Sequence, residues 1–137
     1  MLKHKNKVIP ILEESFHHDG RGPELQRVIW GLKGVVLKGF EYYNPEDDYD
    51  ELNIKHLELV KVEAFSQASD EVHGEIFISN VKDSKAAIFR IENSTWLPKF
   101  QQIHLSKCAH YQIMFYDEIF DVICQEIKVG KGRLKVE

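Results

Sequence analysis

The chain has little sulfur and no long apolar run. Its 137 residues include two cysteines and two methionines. Cys108 and Cys124 do not form a CxxC pair, which removes any zinc-ribbon reading. No segment approaches the roughly 20 apolar residues needed to cross a bilayer as a helix. The opening MLKHKNKVIPILEESF has too short an apolar stretch for an export signal. The expectation is a cytoplasmic protein with both thiols free and no contact with membrane. Excess positive charge is also missing. Net charge is −4, so no nucleic-acid partner is expected. GxSxG, P-loop and GxGxxG patterns are absent as well.

What is present suits a packed domain. Hydrophobic residues make up 43% and charged residues 29%, a globular balance. Eight Phe, five Tyr and two Trp point to a stiff core of β-type residues. The length fits a single domain over residues 1–137, with 1–7 and 129–137 expected as frayed ends. The basic end, with Lys128, Lys131, Arg133 and Lys135 around two glycines, is expected to be solvated.

The patterning predicts an α+β fold. It combines a mostly antiparallel sheet of about six to seven strands with one main helix over about 95–104. Leu25–Trp30 and 35–43 read as hairpin arms around Gly31 and Gly34. Asn44 to Glu51, with proline and five acids, reads as a solvated loop. Ile54 to Phe65 reads as one long strand whose apolar parity switches near Leu59-Val60, the mark of a bulge. Val72–Ser79 and Ala86–Glu92 alternate weakly as strands. Ser94 as cap, Pro98 in the first turn, and Trp96, Leu97, Phe100 and Ile103 at helical spacing carry the helix. Val8 to Phe16 could form a second short helix, against the grain of Pro10.

His110 to Lys128 carries the sharpest pattern. A turn at Asp117-Glu118 places Tyr111, Ile113, Phe115, Phe120, Val122 and Cys124 on one apolar face. Phe115 would oppose Phe120. The other face mixes Met114, Tyr116, Ile119 and Ile123 with Gln112 and Asp121. A face open to water normally alternates to polar residues. The expectation is therefore cover by the N-terminal segment Val8 to Phe16, by a neighbouring strand's loop or by another chain, and, where uncovered, an interaction surface made of Met114, Tyr116, Ile119 and Ile123.

Chemistry-bearing clusters are few. Phe16-His17-His18-Asp19-Gly20 places two imidazoles and a carboxylate on one loop. His17, His18 and Asp19 could join a metal site only with a distant histidine such as His56, His73, His104 or His110. This phrase resembles the Phe-His-Asp opening of some small bacterial immunity-type domains; the similarity spans five residues and brings no residue role with it. No catalytic residue and no cofactor are assigned. The leading expectation is a non-catalytic protein-interaction or binding module, with a protein partner or self-association. The alternative is a small metal-dependent enzyme or ligand-binding protein using the His17-His18-Asp19 loop.

Overall fold

A computed structural model describes residues 7–12, 14–17, 22–31, 34, 36–69, 86–92 and 107–135. Among these, the protein is mostly antiparallel β in two sheets, with no helix of seven or more residues. The expectation of an α+β fold with one main helix on a single sheet is thereby corrected: the described residues are mostly antiparallel β in two sheets. The segment 95–104, expected as the main helix, lies outside the described residues, as does the strand expected over Val72–Ser79. One three-residue 3-10 turn, Glu51–Asn53, is capped by the Asp50 side chain, which accepts from Leu52 N.

Nine strands follow in order among the described residues: β1 Lys7–Ile11, β2 Glu24–Trp30, β3 Leu37–Tyr43, β4 Lys55–Val60, β5 Ala64–Ser69, β6 Ile88–Glu92, β7 Ala109–Met114, β8 Glu118–Cys124 and β9 Glu126–Lys131. One sheet has the order β1-β6-β7-β8-β5, the other β2-β3-β4-β9. Within the N-terminal segment expected as a short helix, residues up to Ile11 form strand β1 instead, paired with β6 in its own plane and, among the described residues, at the edge of its sheet. Pro10 fits there because an edge strand has one side where a missing N–H costs nothing.

The long strand expected over Ile54–Phe65 is two strands joined at a corner. Lys61 has φ +55, and the chain passes from one sheet to the other between Val60 and Ala64. β8 and β9 turn the same corner at Gln125. The two bent ribbons stay bonded through it: Glu63 N–H donates to Ile123 O at 2.9 Å, and Gln125 N–H to Val60 O at 2.9 Å. Strands that switch sheets at such irregularities let two sheets share one core. The anticipated parity switch is real, one residue or so later than the pattern placed it.

That core is aromatic. Phe40 from β3 lies 4.6 Å from Phe120 of β8 and 5.2 Å from Phe115, centroid to centroid. Phe16 packs edge-on against Tyr42 and Phe115. All six residues of the expected apolar face are buried. Their register differs by two from expectation. Ile113 opposes Phe120, and Phe115 N–H donates to Glu118 O, leaving Tyr116-Asp117 as the turn. A slip of two preserves every face, so Phe115 and Phe120 still meet on the core side, 5.9 Å apart.

Of the ends expected to fray, residues 1–6 and 136–137 lie outside the described residues. Residues 126–131 pair with β4, and Arg133 and Leu134 bond to Glu41 on β3. Lys7 at the other end pairs with Glu92.

Candidate interaction surface

The His17 loop is tied into the fold. His17 bridges to Ala86, and its Nε2 lies 3.0 Å from the Glu46 carboxylate. His18 and Asp19 lie outside the described residues, as do His73 and His104. His56 Nδ1 meets Gly132 O at 2.9 Å, and His110 Nε2 meets Asp121 Oδ1 at 2.8 Å. Among the described residues, no group of three or more His, Cys, Asp or Glu side chains is placed to hold a metal ion. The acidic loop is likewise spent on local ties. Asp47 pairs with Lys55 at 2.6 Å, Asp50 caps the 3-10 turn, and Glu51 pairs with Arg133. The carboxylates of Glu46, Asp47, Asp50 and Glu51 each meet a different protein partner rather than converging on one cation.

The second face of the β7–β8 hairpin is closed. Met114, Ile119 and Ile123 are buried, and only Tyr116, in the turn, is exposed, at 43%. The four residues do not form one open patch. The N-terminal strand does not lie across this face; it extends the sheet beside β6. A polar group sits among these apolar side chains. Asp121 accepts from His110 and, at 3.4 Å, from Gln112 Nε2. In the register anticipated from sequence, Gln112 faced Ile123 and Asp121 faced Met114. The two-residue slip brings Gln112 opposite Asp121 and hides His110 beside it. A buried, hydrogen-bonded pair of this kind specifies register, because any other pairing strands a polar group in the interior.

Both thiols are free. Burial pushes the Cys124 thiol up to about 12, the nearby Cys108 adding to the rise while the Glu126 backbone bond opposes it. Cys108 is also raised, by desolvation and then by Glu63. Neither has the lowered pKa that activates a nucleophile.

The exposed apolar surface lies elsewhere. Trp30 ends β2 and is 39% exposed; Phe65 lies in β5 and is 38% exposed. Their rings meet at a tilt, centroids 5.5 Å apart, across the seam between the two sheets. Both occupy inward-facing positions: Trp30 pairs with buried Leu37, and Phe65 with buried Val122. They stand at the lip of the core, where edge strands β2 and β5 diverge. Val36, 42% exposed, is brought beside Trp30 by the Gly31 N–H···O Val36 bond that closes the hairpin. Gly34 at φ +69 supplies the left-handed residue this turn requires. The sequence signal for this patch was ambiguous, because aromatics at strand ends read as edge-of-core residues.

The β5 edge adds to it. Among the described residues β5 pairs on one side, with β8. Its sequence, Ala-Phe-Ser-Gln-Ala-Ser, carries no charge and no proline. Natural edge strands normally use such residues to discourage pairing.

No protein-family model, curated protein or solved structure matches the chain. No helix among the described residues is long and apolar enough to cross a membrane.

Proposed function

We propose that the protein is a non-catalytic interaction module that binds a protein partner through the lip formed by Trp30, Val36 and Phe65. The observation that supports it is the tilted, partly exposed Trp30–Phe65 ring pair joining β2 and β5. Tryptophan and other large aromatics are enriched where interfaces draw their energy. Completing the burial of each ring contributes on the order of 1 kcal/mol, a fraction of the full value for a large apolar side chain. The adjoining uncharged β5 edge offers backbone groups to an added strand, which is one way partners dock on sheets.

A photo-cross-linking residue at position 36, compared with one at Leu52 on the acidic loop, tests this in cells of the source. The expected result is a discrete protein adduct from position 36 alone, lost when Trp30→Ser and Phe65→Ser are combined. Light scattering on the purified chain separates the occupants: the mass of two chains, reverting to one in the double variant, makes a second copy the partner. Adducts equal at both positions, with a monomer in solution, would remove the proposal.

A further inference from the structure

Past β9 the chain doubles back over the outward face of the four-stranded sheet. Gly132, at φ +79, donates its N–H to Ile54 O at 2.7 Å, and its carbonyl meets the His56 ring. This turn brings Arg133 and Leu134 across β4 to β3. There they meet Glu41. Phe40 and Tyr42 on either side point into the core, so Glu41 belongs to the outward face by alternation. It is nonetheless 1% exposed. Its Oε1 accepts from Arg133 Nη1 at 3.0 Å, with Arg27 Nη1 at 3.5 Å, and its Oε2 accepts from Leu134 N–H at 3.0 Å. The Leu134 side chain lies in the space a side chain at residue 39 would need. A Cβ built on Gly39 would stand 2.7 Å from Leu134 Cδ2 and 2.0 Å from Leu57 O.

A carboxylate withdrawn from water is costly unless cations and N–H groups meet it. Here two consecutive residues supply most of that compensation: one guanidinium, one backbone N–H and one aliphatic side chain over a glycine. Those are the contacts of a bound peptide. Arg133 itself stays about half exposed, holding Glu51 with its other nitrogen. Arg133 and Lys135 are exposed and Leu134 is only partly buried, the profile of a segment that can open locally without unfolding the sheet beneath.

We infer that the Gly39–Glu41 surface of β3 is a peptide-binding site for an extended arginine–aliphatic pair, filled in this structure by the chain's own Arg133-Leu134 and opened by release of that strap. The ligand is a partner polypeptide presenting the same pair. The site lies on the outward sheet face, so it is independent of the Trp30–Phe65 lip. A tethered strap acts at about millimolar effective concentration, so the intact chain resists a free competitor.

Two measurements test this on the full-length chain. The first is amide hydrogen exchange. The Leu134 amide is expected to exchange through a local opening that denaturant does not accelerate, while β4 amides such as Leu57 wait for global unfolding. Equal protection of Leu134 and Leu57 would overturn the inference, because the strap would then be a fixed part of the fold. The second uses a labelled synthetic peptide with the sequence of residues 131–137. The Arg133→Ala/Leu134→Ala variant is expected to bind it about tenfold or more tightly than the wild type, the gain set by the fraction of sites its own strap no longer fills. Adding Glu41→Gln is expected to abolish the gain. A folded double variant that binds the peptide no better than wild type would also overturn it. If the double variant fails to fold, the exchange measurement on the wild-type chain decides alone.

Discussion

Phe115 shows how much one position can carry. It is the first residue past β7, and its ring meets Phe16, Phe40 and Phe120 within 6 Å. Removing it opens a cavity that both sheets line. Phe115→Ala is expected to cost about 3–5 kcal/mol in urea unfolding, whereas Tyr116→Ala next to it, exposed in the turn, is expected to change stability by about 0.5 kcal/mol or less. Cys124 makes a different prediction. Its thiol ordinarily ionises near 9.0 and is pushed up to about 12 by burial. Below pH 9 it is protonated in both folded and unfolded chains, so its contribution to stability is fully present. Between those values the unfolded chain loses the proton and the folded chain keeps it, so stability falls as pH rises. Cys124→Ala is expected to flatten that alkaline slope in denaturation curves measured at successive pH values. An unchanged slope would show that the thiol ionises alike in both states.

The elements depend on a few backbone positions. The corner between β4 and β5 requires a left-handed residue, and Lys61 fills it at φ +55. A β-branched side chain is strained there, so Lys61→Val is expected to destabilise by about 1–2 kcal/mol, while Lys61→Gly stays near neutral as relieved strain offsets lost unfolded-state restriction. Chemical denaturation midpoints separate these outcomes. β9 carries a second constraint. The His56 ring rests on Gly130, where an added Cβ would come within 2.3 Å of Nε2. Gly130→Ala must displace the ring from its bond to Gly132 O. The loss is expected to shrink when His56→Ala is combined with it, a coupling that a double-mutant cycle measures directly.

The molecule as a whole is built from distant pairings. β1 bonds β6, β5 bonds β8 and β4 bonds β9, so both sheets need loops closed over tens of residues. Loop-closure entropy is lost before these contacts form, and such topologies fold in milliseconds to seconds. Stopped-flow refolding is expected to fall in that range; microsecond folding would mean that local structure dominates after all. The same topology places the Trp30–Phe65 lip and the Arg133-Leu134 strap. The lip lies where β2 and β5, each the last strand of its sheet among the described residues, meet at one seam, and the strap exists because β9 ends beside β4 and can recross to β3.

The sequence by itself determined what depends on alternation. Tyr111, Ile113, Phe115, Phe120, Val122 and Cys124 share the core face because side chains repeat every two residues, and an error of two in register leaves that set intact. The break after Leu59-Val60 was legible for the same reason, since apolar residues changed sides there. Class and site were not legible. Ten residues with a cap, an early proline and helical spacing argued for a main helix, but the class rests on which strands pair, and no local pattern states that. The basic end read as solvated, and Lys128, Lys131, Arg133 and Lys135 are exposed; what charge alone did not state is that Arg133 reaches Glu41, 92 positions earlier. His110 and Asp121 met through a register that the turn decided. Trp30 and Phe65 meet because a corner carries β5 into the other sheet, and that meeting is a property of the closed fold, where distance along the chain no longer measures distance in space.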